Sequence, residues 1–211
     1  MRRSFLACYC LIISIACNTN KQEATNTIMD SLQAARQVAQ NDSSLMVTIE
    51  TSGWLSKILS EPTLSLANLQ LENYWKDDSL DMEPFSPSEE FYNDYAKVLR
   101  WSPDSSYLLD FGSYGSVVIK DEYGNSTLEG GEPDTEISVI FPRQNKKARL
   151  LFAGPSAYIA DAKWLDKNQA IIIGTFAKEN NVQDTLLWLI DVNEKFFRLY
   201  NYSNKANAVL K

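Results

Sequence analysis

The chain has 211 residues, 45% of them hydrophobic and 11% aromatic, so it is long enough to bury a core as one domain. Its 20 basic and 27 acidic residues give a net charge of −7 without a basic stripe, so we expect no nucleic-acid partner. It lacks histidine, and its three cysteines lie within the first 17 residues, which excludes His-based nucleophilic schemes and the usual zinc, copper and iron sites. We therefore expect no catalytic residue and no cofactor.

The first 16 residues contain the parts of a signal peptide. Arg2 and Arg3 precede an uncharged apolar run over residues 5–16, and polar residues follow from Asn18. A run this short does not span the roughly 30 Å of bilayer hydrocarbon as a helix. We expect residues 1–16 to direct export and to be removed.

The cleavage region Ser14-Ile15-Ala16-Cys17 resembles the lipobox of bacterial lipoproteins. In that family the cysteine is acylated and becomes the mature N-terminus, so the resemblance implies lipidation of Cys17 and membrane lipid as a partner. Acylation would also cap a thiol that is otherwise reactive in an oxidising compartment. The alternative is an ordinary secretory signal in which Cys17 is incidental. The mature chain would carry 18 basic and 27 acidic residues, a net charge of −9.

Residues 17–27 are polar and without periodicity, which predicts a flexible tether. From residue 28 the apolar positions recur at spacings of three and four, which predicts a short amphipathic N-terminal helix that packs on the domain. Asn41 and Asp42 are expected to end it. The apolar positions are Ile28, Leu32, Ala35, Val38 and Ala39.

Residues 45–95 predict an irregular, mixed segment interrupted by prolines. Residues 45–50 alternate like a strand, and residues 54–59 are typical of a helical turn. Residues 76–83 concentrate carboxylates, but their spacing does not match a calcium-binding EF-hand loop. A solvated loop is the interpretation that we favour for them.

From residue 96 onward, short runs rich in β-branched and aromatic residues alternate with turn signals. Because the connections are short, they predict antiparallel hairpins in a meander. The predicted strands are 97–101, 106–112, 115–120, 135–141, 147–153, 158–164, 169–176, 184–191 and 195–202.

The predicted β domain, 96–211, contains an internal repeat. Trp101 and Trp164 occupy equivalent positions in two units, about 96–153 and 158–203, and each unit predicts one four-stranded blade. The excursion over residues 113–134 accounts for the greater length of the first unit.

The run from Trp101 to Ser106 resembles the turn of WD40-like repeats in the TolB type of β-propeller. Pro103 presets a turn, Asp104 can accept hydrogen bonds from the turn's amides, and Trp101 is expected to pack between sheets. The second copy retains Trp164 and Asp166. Two blades do not close a propeller ring, so we expect a mainly β, antiparallel fold of two propeller-like blades packed as a sandwich. The alternative is that residues 45–95 hide degenerate blades.

The excursion is the one place where several acids meet a flexible loop. A solvated hairpin connection is the favoured interpretation, and a metal or carbohydrate contact is the alternative. The acids are Asp121, Glu122, Glu129, Glu132, Asp134 and Glu136, of which Asp121, Glu129, Glu132 and Asp134 are the metal candidates.

Aromatic residues offer a second candidate surface, for stacking on sugar rings or on a protein. The alternative, which we favour, is ordinary packing within and across strands. The tyrosines considered are Tyr107, Tyr114, Tyr123, Tyr158, Tyr200 and Tyr202.

These patterns together predict an exported lipoprotein, anchored to a bacterial membrane and facing the periplasm or the surface. Its domain is expected to be a non-catalytic binding or structural module whose partner is an envelope protein or a carbohydrate. One alternative is a carboxylate-dependent glycoside-active enzyme, which needs carboxylates that converge in a pocket. The other is an accessory subunit of an envelope complex, which needs a large exposed apolar patch.

Overall fold

The computed structural model describes residues 19–59, 68–130, 133–177 and 183–202. The predicted signal peptide, Cys17 and Glu132 lie outside these residues. The chain divides into two compact units, residues 1–41 and residues 42–211. Across the described ranges, no helix has both the length and the apolar character needed to cross a bilayer.

The described elements are mainly strands. The helices are α1 (Thr19–Thr51), α2 (Trp54–Leu59) and α3 (Glu89–Asp94). The strands are β1 (Leu69–Lys76), β2 (Met82–Pro84), β3 (Leu99–Trp101), β4 (Leu108–Asp110), β5 (Ser116–Lys120), β6 (Ser126–Gly130), β7 (Thr135–Phe141), β8 (Lys146–Ala153), β9 (Ala157–Trp164), β10 (Gln169–Ala177), β11 (Gln183–Asp191) and β12 (Phe196–Tyr202).

Two five-stranded antiparallel sheets form the body of the fold. The first sheet has the order β1-β12-β11-β10-β9, and the second has the order β2-β8-β7-β4-β3. Each contains one of the two predicted four-strand meanders, so the mainly β, antiparallel prediction is confirmed. Each sheet also gains a fifth strand from residues 69–84, which the sequence analysis left irregular. The excursion folds into a separate hairpin of β5 and β6.

The two sheets pack against each other in a sandwich-like arrangement and do not close into a barrel. Leu109 and Val139 of the second sheet belong to the same buried cluster as Ile172, Ile190 and Phe197 of the first. Alternation along each strand sends these side chains inward, which leaves both outer faces to be covered by other elements.

The last turns of α1 and the whole of α2 cover the outer face of the first sheet. Met46, Ile49 and Leu55 are buried against Ile171 and Leu187 of that sheet. The predicted strand over residues 45–50 is therefore wrong. Its apolar residues also fit a helical spacing. As a helix, the segment places them on one side, where they pack against the outer face of the sheet.

Helix α1 is longer than predicted at both ends. It includes residues 19–27, so the predicted tether is corrected to helix there; this stretch lacks glycine and proline and contains good helix formers such as Lys21, Glu23 and Ala24. It also continues past Asp42, the predicted end. The carboxylate of Asp42 does not end the helix, because it is occupied by Arg198 and Tyr200 of β12.

The segment around α3 covers part of the outer face of the second sheet. Ser88 caps α3, because its hydroxyl accepts a hydrogen bond from the backbone N–H of Phe91. Phe91 and Tyr95 then pack on a cluster that contains Leu108 and Ile140. Glu136, Ser138 and Arg149 lie further along this outer face, where the candidate site is found.

Candidate functional site

A cleft of about 410 Å³ opens at the edge of the second sheet. Strand β2 is only three residues long and pairs with residues 146–148 of β8, so residues 149–153 have no partner strand on that side within the described chain. Residues 77–81, which lead from β1 in the first sheet to β2 in the second, turn beside this open edge. The cleft is lined by Asp77, Ser79, Leu80, Asp81, Met82, Glu83 and Arg149.

The loop that forms one wall of the cleft is ordered by its own contacts. Asp77 Oδ1 accepts hydrogen bonds from the backbone N–H of Ser79 at 3.0 Å and from its hydroxyl at 2.8 Å. Leu80 packs against the core between the sheets. The predicted solvated loop is thus a turn anchored by a partly buried leucine, and its carboxylates at Asp77, Asp81 and Glu83 line a concave surface.

Arg149 is the positively charged group of the cleft. Its Nε donates a 2.8 Å hydrogen bond to Glu136 Oε2, and its guanidinium carbon lies 5.2 Å from the centroid of the Phe152 ring. The side chain is 61% exposed, and its two terminal amino groups have no partner in the described part of the chain. The guanidinium is therefore oriented in advance while its outer donors remain available to a ligand.

Glu136 is the buried anchor of this arrangement. It accepts hydrogen bonds from Ser138 Oγ at 2.7 Å and from Arg149, and Lys147 Nζ lies 3.6 Å away. Burial opposes ionisation of the carboxyl, but the hydrogen bonds and the two positive charges outweigh burial and lower its pKa. Glu136 therefore stays ionised at neutral pH and orients Arg149 instead of donating a proton.

The two other exposed carboxylates of the cleft differ in their partners. Glu83 pairs with Lys147 at 3.1 Å. Asp81 is exposed and makes no hydrogen bond or ion pair in the described ranges. The cleft therefore presents the carboxylate of Asp81, which has no partner among the described residues, together with the uncommitted donors of Arg149.

An aromatic pair lies beside Arg149. Phe152 is 50% exposed, and Tyr114 contacts it edge-on with ring centroids 6.0 Å apart. Of the other candidate tyrosines, Tyr123 and Tyr158 are exposed, whereas three belong to the core clusters. Those three are Tyr107, Tyr200 and Tyr202.

The predicted role of Asp104 in its turn is confirmed. Its carboxylate accepts hydrogen bonds from the backbone N–H and hydroxyl of Ser106 and from the hydroxyl of Ser102. These bonds lower the pKa of Asp104.

The expectation that Trp101 packs between the sheets is wrong. Its ring is 48% exposed and stacks on Tyr92, because β3 is an edge strand and its last residue faces outward.

Trp164, the second copy of that tryptophan, connects the two sheets. Its Nε1 donates a 2.7 Å hydrogen bond to the carbonyl oxygen of Arg100, and its ring stacks on Tyr107. In the turn that follows, Asp166 accepts hydrogen bonds from the backbone N–H groups of Asn168 and Gln169.

Of the four predicted metal candidates, the structure describes Asp121, Glu129 and Asp134, and it does not bring these three into a group that could hold a metal ion. Asp121 accepts hydrogen bonds from Tyr123 and Asn125 within its own turn, Glu129 is exposed on β6, and Asp134 lies just before β7. In the described ranges, no group of three or more acidic, histidine or cysteine residues could hold a metal ion.

Sequence reasoning missed Arg149 and assigned Asp81 to a solvated loop. The sequence does contain a signal for Arg149. Lys147 and Arg149 alternate along one predicted strand, and Glu136 lies on the predicted strand before it. This pattern is typical of cross-strand ion pairs. No local signal brings Asp81 to them.

Comparison of the chain with protein families, curated proteins and solved structures gives no match.

Proposed function

We propose that this protein is a membrane-anchored lipoprotein of the bacterial cell envelope whose sandwich domain is a non-catalytic binding module. The observation that carries the binding function is the cleft itself. Its guanidinium, Arg149, is oriented by the buried carboxylate of Glu136 and keeps free donors. A side chain positioned before the ligand arrives loses little conformational entropy on binding, which favours recognition.

The chemistry around Arg149 also favours binding over proton transfer. A general acid needs a pKa near the working pH, whereas the surroundings of Glu136 lower its pKa. Burial raises the pKa of Asp110, but that carboxylate is committed to the backbone N–H groups of Gly112 and Ser113 and to the Ser113 hydroxyl. It is also not among the residues that line the cleft.

The anchor is proposed from the N-terminal sequence, in which the apolar run and the lipobox-like residues end at Cys17. Two or three acyl chains, each stabilising by about 0.8 kcal/mol per buried methylene, would anchor the chain firmly.

Intact mass spectrometry of the membrane-extracted protein, beside a Cys17→Ser variant, tests the anchor. We expect the wild type to lose residues 1–16, to gain the mass of acyl chains and to partition into detergent, and the variant to do none of these. Cleavage elsewhere without lipid would disprove the anchor, and the domain would then be free to diffuse.

A glycoside-active enzyme is the alternative that the cleft also favours, because Asp81 and Glu83 line it together. The discriminating measurement is the release of reducing ends from oligosaccharides by the wild type and by Asp81→Asn. Turnover that the substitution abolishes would establish the enzyme, whereas binding without turnover supports the binding module.

An accessory subunit of an envelope complex is favoured by a different observation, the β5–β6 hairpin. Val117 and Ile119 are exposed on one of its faces, and Tyr123 at its tip is 82% exposed. A Val117→Ser, Ile119→Ser double variant tests this, since both changes lie on an exposed face. Loss of a higher-mass complex in mild-detergent extracts of the variant, with the wild-type complex intact, would support the subunit function.

A further inference from the structure

We propose that the cleft beside Arg149 binds a saccharide that is neutral or carries an amine, and that it discriminates against acidic sugars. This inference deepens the proposed binding function and does not depend on the lipid anchor. It rests on four features of the cleft: its paired donor and acceptor, its charge, its aromatic border and the irregular strand edge beside it.

The hydrogen-bonding groups of the cleft match the needs of sugar hydroxyls. A hydroxyl both donates and accepts, so neighbouring hydroxyls on a ring need an acceptor and a donor within reach. Asp81 supplies a carboxylate that has no partner in the described chain, and Arg149 supplies terminal N–H groups that are not used in its bond to Glu136, which is made by Nε. Charged partners of this kind make the stronger class of hydrogen bond.

The charge of the lining determines which sugars are favoured. Asp77, Asp81 and Glu83 contribute three carboxylates, and Arg149 contributes one guanidinium. Lys147, which pairs with Glu83, does not reverse this balance, because the neighbouring carboxylate of Glu136 offsets its positive charge. An acidic sugar would therefore meet net negative charge, whereas an ammonium group would be attracted.

The size and border of the cleft suit a short saccharide. A volume of about 410 Å³ lies near the lower end of the range for small-ligand sites. The half-exposed ring of Phe152, supported by Tyr114, borders Arg149 and offers an apolar surface to the C–H face of a sugar ring.

The open edge of β8 argues against the other obvious occupant, an added peptide strand. The register between β7 and β8 shifts next to Ser138, where residue 150 is the extra residue of β8. A bulge interrupts the even spacing of backbone groups that an added strand needs, and it is a device that protects sheet edges. A ligand bound through side chains does not require that spacing.

The test is calorimetric titration of the full-length processed protein with oligosaccharides of gluco, galacto and manno series, each in neutral, amine-bearing and uronic-acid forms. We expect saturable binding of at least one neutral or amine-bearing oligosaccharide and at least tenfold weaker binding of its uronic-acid counterpart. If none of the neutral or amine-bearing compounds binds, or if the uronic acids bind best, the proposal is overturned.

Two pairs of variants localise the binding. Asp81→Asn alters an exposed lining carboxylate and should weaken binding of the amine-bearing sugar at least tenfold, whereas Asp78→Asn, in the same loop but outside the lining, should not. Phe152→Ala should weaken binding, and Tyr158→Ala, an exposed aromatic residue on the other sheet, should not. Equal effects within either pair would overturn the assignment to this cleft.

The proposed binding function and the saccharide inference can fail separately. Saturable binding of an extended peptide that Asp81→Asn weakens, with no sugar bound, would keep the binding module and reject the saccharide. Reducing ends released by the wild type and not by Asp81→Asn would keep the saccharide and reject the non-catalytic function.

Discussion

Arg198 Nη1 donates a 2.7 Å hydrogen bond to Asp42 Oδ1 across 156 positions of sequence, and both side chains are buried. The hydroxyl of Tyr200 donates to the second carboxylate oxygen of Asp42 at 2.6 Å. Burial and the neighbouring Asp42 carboxylate raise the pKa of Tyr200, so its hydroxyl keeps its proton. These bonds fasten the start of the α1 segment in the second compact unit to β12.

Replacing Asp42 by alanine should destabilise the domain by about 3–5 kcal/mol, because it leaves the charge of Arg198 buried and unpaired. Denaturant unfolding measures this loss. The double variant Asp42→Ala, Arg198→Met should recover part of it, because the unpaired charge is then absent. A loss below about 1 kcal/mol in the single variant would contradict the assignment, since it would match an exposed pair.

The two tryptophans of the repeat should respond differently to the same substitution. Trp164→Phe leaves the carbonyl of Arg100 without its 2.7 Å donor, at a cost of about 1–3 kcal/mol. Trp101→Phe, at a half-exposed edge position, should change the free energy of unfolding by no more than about 0.5 kcal/mol. Urea midpoints of the two variants give the comparison, and equal shifts would be inconsistent with the structure.

Asp110 should make stability fall as pH rises. Burial raises its pKa above the ordinary 3.8, so the stability that its neutral form contributes is present below that value and is lost as pH rises through the folded pKa. Asp110→Asn does not titrate, so its unfolding free energy relative to wild type should increase over this window. Unfolding measured from about pH 3.5 to about pH 7 tests this.

Glu136 serves as a control, because its contribution to the free energy of unfolding should change with pH in the opposite direction. Its pKa is lowered from 4.5, so its contribution is present above that value and is lost as pH falls through the folded pKa. Glu136→Gln should therefore be destabilising at neutral pH and approach wild-type stability in acid. Parallel pH profiles for Asp110→Asn and Glu136→Gln would refute both assignments.

Gly174 should tolerate no side chain. A Cβ there would lie 2.6 Å from the backbone oxygen of Tyr158 and 3.0 Å from Ile159 Cδ1, beside the register shift between β9 and β10. Gly174→Ala should cost about 1–3 kcal/mol by overpacking. Gly130→Ala is the matched control, because nothing lies within 4 Å of its Cβ position. Thermal unfolding of the two variants separates these outcomes, and similar melting temperatures would show that the site can relax.

Apart from β6, the strands from residue 99 onward were predictable because their signals are local. Alternating apolar residues mark the strands. The connections are marked by residues such as Asp104 and Asp166, whose carboxylates accept hydrogen bonds from backbone N–H groups of the same turn. The second hairpin strand, β6, was not predicted, because its sequence of small and polar residues carries no apolar alternation.

The candidate cleft was not predictable as a site. Arg149, Glu136 and Asp81 come from three different strands or loops, and only the pairing of β2 with β8 brings Asp81 close to the other two. The acidic segment that contains Asp81 is indistinguishable, as a sequence, from a solvated loop.

The sequence by itself determined the β-rich class, the two four-strand meanders and the turns between them. Most of the strand pairs join near neighbours in the chain, and the pair of β4 and β7 is indicated by the internal repeat although the excursion separates the two strands. Only the tertiary structure decided that residues 69–84 supply a fifth strand to each sheet and that residues 45–50 are helical. It also decided that Trp164, rather than Trp101, joins the sheets. In each case the local pattern is compatible with two arrangements. The arrangement that forms is the one that buries apolar surface against a partner distant in sequence.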